Sequence, residues 1–239
     1  PYNNNYRKII KIDLMMSYLT FGKGQDLILG HGMAQNKNLW LENGWIKELS
    51  KIRRVHIFDF PGHGDNLNMD ESNFSVQKMA NYILEISNDI KSESFDYMGF
   101  SMGARAGFEL ASCENNLNRI ISLGMHPGAP YLEKKRFNKR AKAMKNLGEK
   151  TGEKKYIIYS KIFEKALNWE GAIDKISWKN EKHKIIIGEN DDNYELTKSI
   201  MKNKDKKVLF TLEGVNHKNT FNEPKHSLSA IINFLQDNR

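Results

Sequence analysis

The stretch with the clearest chemical potential is Gly99-Phe-Ser-Met-Gly103, which the pattern places between the end of a strand and the start of a helix. A serine at the tip of such a turn is held out of regular structure, with its hydroxyl exposed and the unpaired first N–H groups of the helix beside it. The flanking glycines let strand and helix approach without a Cβ clash. A hydroxyl so placed serves nucleophilic acyl chemistry if the chain also supplies a base, an acid to orient the base, and N–H donors for an oxyanion. Asp191 follows the apolar run 184–187 in a Gly-x-x-Asp loop, and His217 follows the run 207–212. Ser101, Asp191 and His217 are therefore the candidates for nucleophile, acid and base. Asp192 is a neighbouring rival for the acid. His183, His226 and His56 suit the base less well, lying at a strand start, within a helix and in mid-strand.

These groups need a scaffold that brings them to one edge. Residues 7–12, 16–21, 27–29, 55–58, 95–98 and 119–123 read as strands, and 42–51 and 75–90 as helices. Residues 27–29 are wholly apolar, as expected of a strand buried on both faces. Residues 129–182 lack a convincing strand and read as helices over 132–146, 154–167 and, more briefly, 169–176. Strands at 184–187 and 207–212 then alternate with helices at 195–202 and 224–235. Alternating strands and helices predict a mostly parallel α/β sheet with helices on both faces and ligands at the carboxyl ends of the strands. The expected division is a core of 1–128 and 183–239, with 129–182 inserted after the sixth strand as a small helical cap over that edge.

Composition narrows the classes. No apolar run approaches the roughly 20 residues of a membrane span, and the polar start Pro1-Tyr-Asn-Asn-Asn5 lacks the apolar stretch of a secretory leader, although without an initial Met a trimmed leader stays open. A single cysteine, Cys113, leaves no internal disulfide, so a reducing cytoplasm is the expected compartment and Cys113 an expected small core residue. The net charge of +8 is confined to residues 131–165, which hold 12 Lys and Arg against 4 Glu, while the remainder balances at 25 against 25. That segment reads either as a solvated helix face or as a surface that draws an anionic substrate or acidic carrier protein toward the pocket. Its apolar residues, Ile162 and Phe163 among them, are expected to wall the acyl site. No recognition motif for nucleic acid is present.

His31-Gly32 followed by Trp40, Asp59-Phe-Pro-Gly-His-Gly64, Gly99-Phe-Ser-Met-Gly103 and the Asp191/His217 pair together resemble the α/β-hydrolase superfamily over nearly the whole chain. The likeness is strongest to the small single-domain esterases and lactonases that begin with an HG…W segment. The HGGG pattern of another esterase branch is absent, and Ser101 stands where haloalkane dehalogenases and epoxide hydrolases carry Asp. The resemblance implies a Ser101–His217–Asp191 triad, an oxyanion hole from the backbone N–H groups of Met33 and Met102, and no metal or organic cofactor. The implied substrate is a small or medium acyl ester, anionic ones included. His31, Trp40 and His126 are candidate pocket residues; the alternatives are a structural role for His31, core packing for Trp40 and a solvated loop position for His126. His63 is expected to fix the turn of its Pro-Gly-His-Gly loop. The run Ser101-Met-Gly-Ala-Arg105 with a basic cap is also similar to the menaquinone-pathway synthases, which eliminate pyruvate from an anionic cyclohexadiene. Esterases acting on acyl groups carried by an acidic carrier protein, and a catalytically silent ligand-binding member of the fold, are the remaining readings.

Overall fold

The structure, a computed structural model, describes residues 17–113 and 116–236; the strand expected at 7–12 and the start of the next lie outside them. In chain order the elements are β1 (Tyr18–Phe21), β2 (Asp26–Gly30), α1 (Leu39–Glu42), α2 (Trp45–Leu49), β3 (Arg54–Phe58), α3 (Val76–Asp89), β4 (Phe95–Phe100), α4 (Met102–Ala111) and β5 (Leu117–Leu123). They continue with α5 (Lys134–Thr151), α6 (Lys154–Ala166), β6 (His183–Gly188), α7 (Tyr194–Met201), β7 (Leu209–Leu212), α8 (His217–Asn222) and α9 (Leu228–Gln236). The seven strands form one sheet in the order β1-β3-β2-β4-β5-β6-β7. Only β1 runs antiparallel, against β3; the other pairings are parallel.

Side-chain alternation splits the core between the two faces. Ile28, Phe58, Tyr97, Ile120 and Ile185 point to the face covered by α3 and α4. Leu27, Leu29, Ile57, Met98, Ile121 and Ile186 point to the other, where Trp45, Phe221 and Ile231 cover them. A sheet buried on both faces explains why its strands read as unbroken apolar runs.

Several expectations are corrected in detail. The helix read over 42–51 is two short helices, because Gly44 takes φ 85° and breaks the turn between them. No helix forms at 169–176: the buried Trp169 indole donates to Glu109, and Gly171, at φ 83°, pairs with Gly128 in an isolated antiparallel bridge. Cys113 is exposed rather than in the core, since α4 ends two residues before it. Before β7 the Asp205 side chain accepts from Lys207 N–H and holds a 3₁₀ turn, which delays the strand to Leu209. The helices α5 and α6 fall between β5 and β6, the fifth and sixth described strands. No helix among the described residues is long and apolar enough to cross a membrane.

Candidate active site

Ser101 sits between the end of β4 and the start of α4 with φ 51° and ψ −107°, a conformation that costs a non-glycine residue strain. Neighbouring backbone holds it there. Ser101 N–H donates to Leu123 O at 2.9 Å, and Gly103 N–H to His31 O at 3.1 Å. Both glycines of the motif are needed for closeness. A Cβ on Gly103 would meet Gly30 O at 2.3 Å, and one on Gly99 would meet the Gly103 carbonyl carbon at 2.5 Å. The turn is therefore wedged between β2, β5 and its own helix, and the hydroxyl is left projecting.

The residues expected as acid and base lie in the loops after β6 and β7. Asp191, buried after β6, accepts from Asn193 N–H through Oδ1 at 2.9 Å, and Asn193 ties the loop to the end of β5 by donating to Gly124 O at 3.0 Å. Its Oδ2 lies 2.7 Å from His217 Nδ1. Asp192, the rival acid, is exposed. His217 is the first residue of α8, whose N-terminus Asn216 caps by accepting from Asn219 N–H at 3.0 Å. With the carboxylate accepting from Nδ1–H, the free lone pair sits on Nε2, 3.1 Å from Ser101 Oγ. The His217 ring rests against Phe100, centroids 4.9 Å apart. Gly124, at φ 66°, leaves room here, since a Cβ would come within 3.0 Å of His217 Nδ1. A serine hydroxyl, an imidazole and a buried carboxylate in this order can pass a proton from oxygen to ring nitrogen while the acid holds the tautomer.

The residues expected to supply the oxyanion donors border the same space. Met33 and Met102 line the cavity with Ser101, and among the described residues neither backbone N–H has a hydrogen-bond acceptor. The loop carrying Met33 is pinned by two histidines. His31 Nε2 accepts from Phe60 N–H at 3.1 Å, so its Nδ1–H donates to Gly32 O at 2.8 Å. His63 Nε2 accepts from Ala34 N–H at 3.2 Å. Burial holds both rings neutral, pushing His31 down to about 4 and His63 well below the usual range. Asp59 Oδ1 lies 3.8 Å from His31 Nε2, but that nitrogen already accepts a hydrogen, so the contact is no ion pair. Asp59 instead pairs with Lys37 at 2.8 Å.

His31, Trp40 and His126, expected at the pocket, do not line the cavity. His31 turns inward to the loop backbone. Trp40 is wholly buried against Trp45 and Phe221, at 5.8 and 4.8 Å between centroids. His126 is also wholly buried: Nδ1 accepts from Gly128 N–H and Nε2–H donates to Glu133 at 3.1 Å. Burial, with the Arg105 and Arg136 cations, pushes His126 down to about 3.

The cavity wall is instead apolar, with Met79, Met125, Phe137, Ile162 and Phe163, and three arginines, Arg105, Arg136 and Arg140. Ile162 and Phe163 are where the sequence places a wall. The arginines of α5 carry one sequence signal: they are the only arginines among the 12 basic residues of 131–165, four positions apart. The free volume within it is about 40 Å³. Among the described residues no cluster of His, Cys, Asp and Glu could hold a metal ion.

Comparison with known proteins places these features in context. A profile of the alpha/beta hydrolase fold matches residues 27–147, just over half of the chain. A pimeloyl-[acyl-carrier protein] methyl ester esterase of Aeromonas hydrophila is 30% identical over 115 residues, 48% of this chain and 43% of that protein. A protein of the same name from Nitrosomonas europaea is 32% identical over 92 residues, 38% of this chain and 33% of that protein. The matched segments thus span less than half the length of these curated relatives. Among solved structures, MenH from S. aureus superposes with a TM-score of 0.72 at 16% identity, covering 93% of this chain and 98% of that one. An enol-lactonase from Burkholderia xenovorans LB400 gives 0.71 at 15%, covering 92% and 96%. At such identities the structural likeness speaks to the fold alone.

Proposed function

The chain belongs to the alpha/beta hydrolase fold family, and from that premise we propose that it hydrolyses carboxylic esters through Ser101, His217 and Asp191. The observation that carries the reading is His217 bridging the other two, 2.7 Å from Asp191 Oδ2 and 3.1 Å from Ser101 Oγ. Ser101 Oγ attacks the ester carbonyl as His217 Nε2 takes its proton. The Met33 and Met102 N–H groups hold the oxyanion, and His217 returns the proton to the departing alcohol. Water, deprotonated by the same imidazole, then attacks the acyl-enzyme. The carboxylic acid leaves, the proton returns to Ser101, and one ester and one water have become one acid and one alcohol. Asp191 stays ionised and fixes the tautomer. The sequence calls for no metal or organic cofactor.

Residues 129–182 act in this reading as a lid over the strand edge. A free volume of about 40 Å³ holds a water or two, far below the roughly 300 Å³ of an ordinary ligand pocket. An acyl chain therefore enters only as side chains make way. Met33, Met79, Met102 and Met125 suit that task, because unbranched thioether chains change rotamer at low cost. A carrier-borne acyl group, as the names of the curated relatives suggest, is the substrate for which the basic surface of α5 has a use: its exposed lysines would draw an acidic carrier protein. Loss of turnover with added salt, steeper for carrier-bound than for free ester, would support that version.

Ser101→Ala tests the mechanism. Hydrolysis of a short p-nitrophenyl ester should fall by about 10⁴-fold or more, with the thermal midpoint kept. Unchanged turnover in this variant overturns the reading.

A further inference from the structure

Arg105, Arg136 and Arg140 converge on the cavity that holds Ser101, and their charge is incompletely answered. Arg105 lies one helical turn beyond Ser101 on α4 and is only 6% exposed. Arg136 and Arg140 are one turn apart on α5, so they share a face. One carboxylate, Glu133, serves two of the three. It accepts from Arg105 Nη2 at 3.3 Å and pairs with Arg136, while also accepting from His126. Arg136 has a second partner in the Asn193 side chain, and Asp192 and Asp191 lie near enough to favour its charge. Arg140 has no ion pair or hydrogen bond among the described residues. The Nε–H groups of Arg105 and Arg136 are both buried without an acceptor.

An unsatisfied donor on a buried cation is costly to leave unmade, because water is excluded and the charge has lost its hydration. Burial together with Arg136 and Arg140 pushes Arg105 down to about 9, so it remains cationic at neutral pH. The Arg105 guanidinium carbon lies over the Phe137 ring, 4.8 Å from its centroid. Apolar Met33, Met102, Phe137 and Phe163 share the cavity lining with these cations and Ser101. A ligand that satisfies both ends has an ester at Ser101, a short hydrocarbon middle and an oxyanion group at the arginines.

We propose that Arg105, buried in the wall, with Arg136 beside it and Arg140 at the rim, forms an anion subsite that holds a carboxylate on the ester substrate, so that the preferred substrates are half-esters of dicarboxylic acids. The proposal deepens the ester-hydrolase reading and rests on it for the choice of ester. It differs from attraction by the exposed lysines of α5, which acts at a distance and is screened by salt. The guanidinium fork matches a planar carboxylate with two parallel hydrogen bonds.

The test separates binding from turnover. In Ser101→Ala protein, titration calorimetry compares monomethyl adipate with dimethyl adipate, its neutral counterpart. The half-ester should bind at least about 10-fold tighter, a preference of the size expected for charge-assisted hydrogen bonds. Adding Arg140→Gln, at the exposed rim, should cut that ratio by about 10-fold, and Arg105→Gln, checked for folding by its thermal midpoint, by more. Equal binding of the two esters, or a ratio indifferent to Arg140→Gln and Arg105→Gln, overturns the subsite. Methyl phosphate binding more tightly than the half-ester assigns the arginines to a phosphate and overturns the carboxylate assignment. Wild-type protein that turns over no ester while Ser101→Ala keeps the preference would end the hydrolase reading and leave the subsite standing. Turnover of neutral esters with no half-ester preference does the reverse.

Discussion

The loops at the carboxyl edge of the sheet and the helices α5 and α6 both face the cavity, but they are held in different ways. The edge loops are fixed by backbone and buried polar groups. Ser101 is pinned by Leu123 O, Asp191 by Asn193, and the Met33 loop by His31 and His63. Helices α5 and α6 are fixed by side chains: Phe137, Ile158, Ile162 and Phe163 pack inward, and Lys161 and Lys165 reach Glu71 at the surface. Geometry fixed by backbone suits proton transfer, which tolerates little displacement. Geometry fixed by side chains suits a wall that must yield to a substrate.

If the comparison holds, the largest effect of a small change belongs to the edge. Asp191→Asn keeps the size of the side chain but removes the carboxylate that accepts from His217 Nδ1. Ester turnover should fall by about 10⁴-fold, as the imidazole is left in the wrong tautomer. Asp192→Asn, one residue away and exposed, should leave turnover within about twofold, in line with an ordinary surface substitution. Kinetics of the two variants side by side decide it; equal losses would mean that the loop rather than the hydrogen bond matters.

A second effect, on stability, also separates the regions. His31 is buried neutral with its pKa pushed down to about 4, below the ordinary 6.5 it regains on unfolding. Between those values the unfolded chain binds the extra proton, so the stability from neutral His31 is complete above pH 6.5 and is lost as pH falls toward 4. By pH 5 the loss is about 2 kcal/mol, and His63 and His126, pushed the same way by burial, add to it. The thermal midpoint should therefore drop between pH 7 and pH 5, with hydrogen exchange quickening in the Met33 loop more than in α5. A midpoint unchanged across that interval would contradict the neutral, pinned histidines.

The same contrast explains what was legible in the sequence. Ser101, Asp191 and His217 stand at strand ends, and a strand end is a backbone event that apolar runs and glycines announce. Gly99 and Gly103 are visible because no other residue fits the close approach to β2 and α4. Which way a ring points is not announced. His31 and Trp40 lie near Met33 in the chain, yet one turns to Phe60 N–H and the other to Trp45 and Phe221. Arg136 and Arg140 do not stand out among ten lysines because which residues of α5 border the cavity is set by tertiary packing, which a weakly apolar helix does not record. The break at Gly44 and the failed helix at 169–176 were missed for a related reason. A single positive-φ glycine, or one buried indole finding Glu109, outweighs local helix propensity.

The smallest expected effect lies on the outer side of α6. Glu71 pairs with Lys161 and, at 3.7 Å, with Lys165, and all three side chains are well exposed. Water and salt screen such pairs, and holding two long side chains in one geometry costs entropy. Lysine positions can thus tether α6 to the 3₁₀ turn at Glu71–Asn73 in the structure without securing it in solution. Glu71→Gln should leave the thermal midpoint and the turnover of a short neutral ester unchanged within error, at low and at high salt alike. A clear loss of stability that vanishes at high salt would mean that α6 is anchored by charge as well as by Ile158, Ile162 and Phe163, and the two regions would then differ less than their packing indicates.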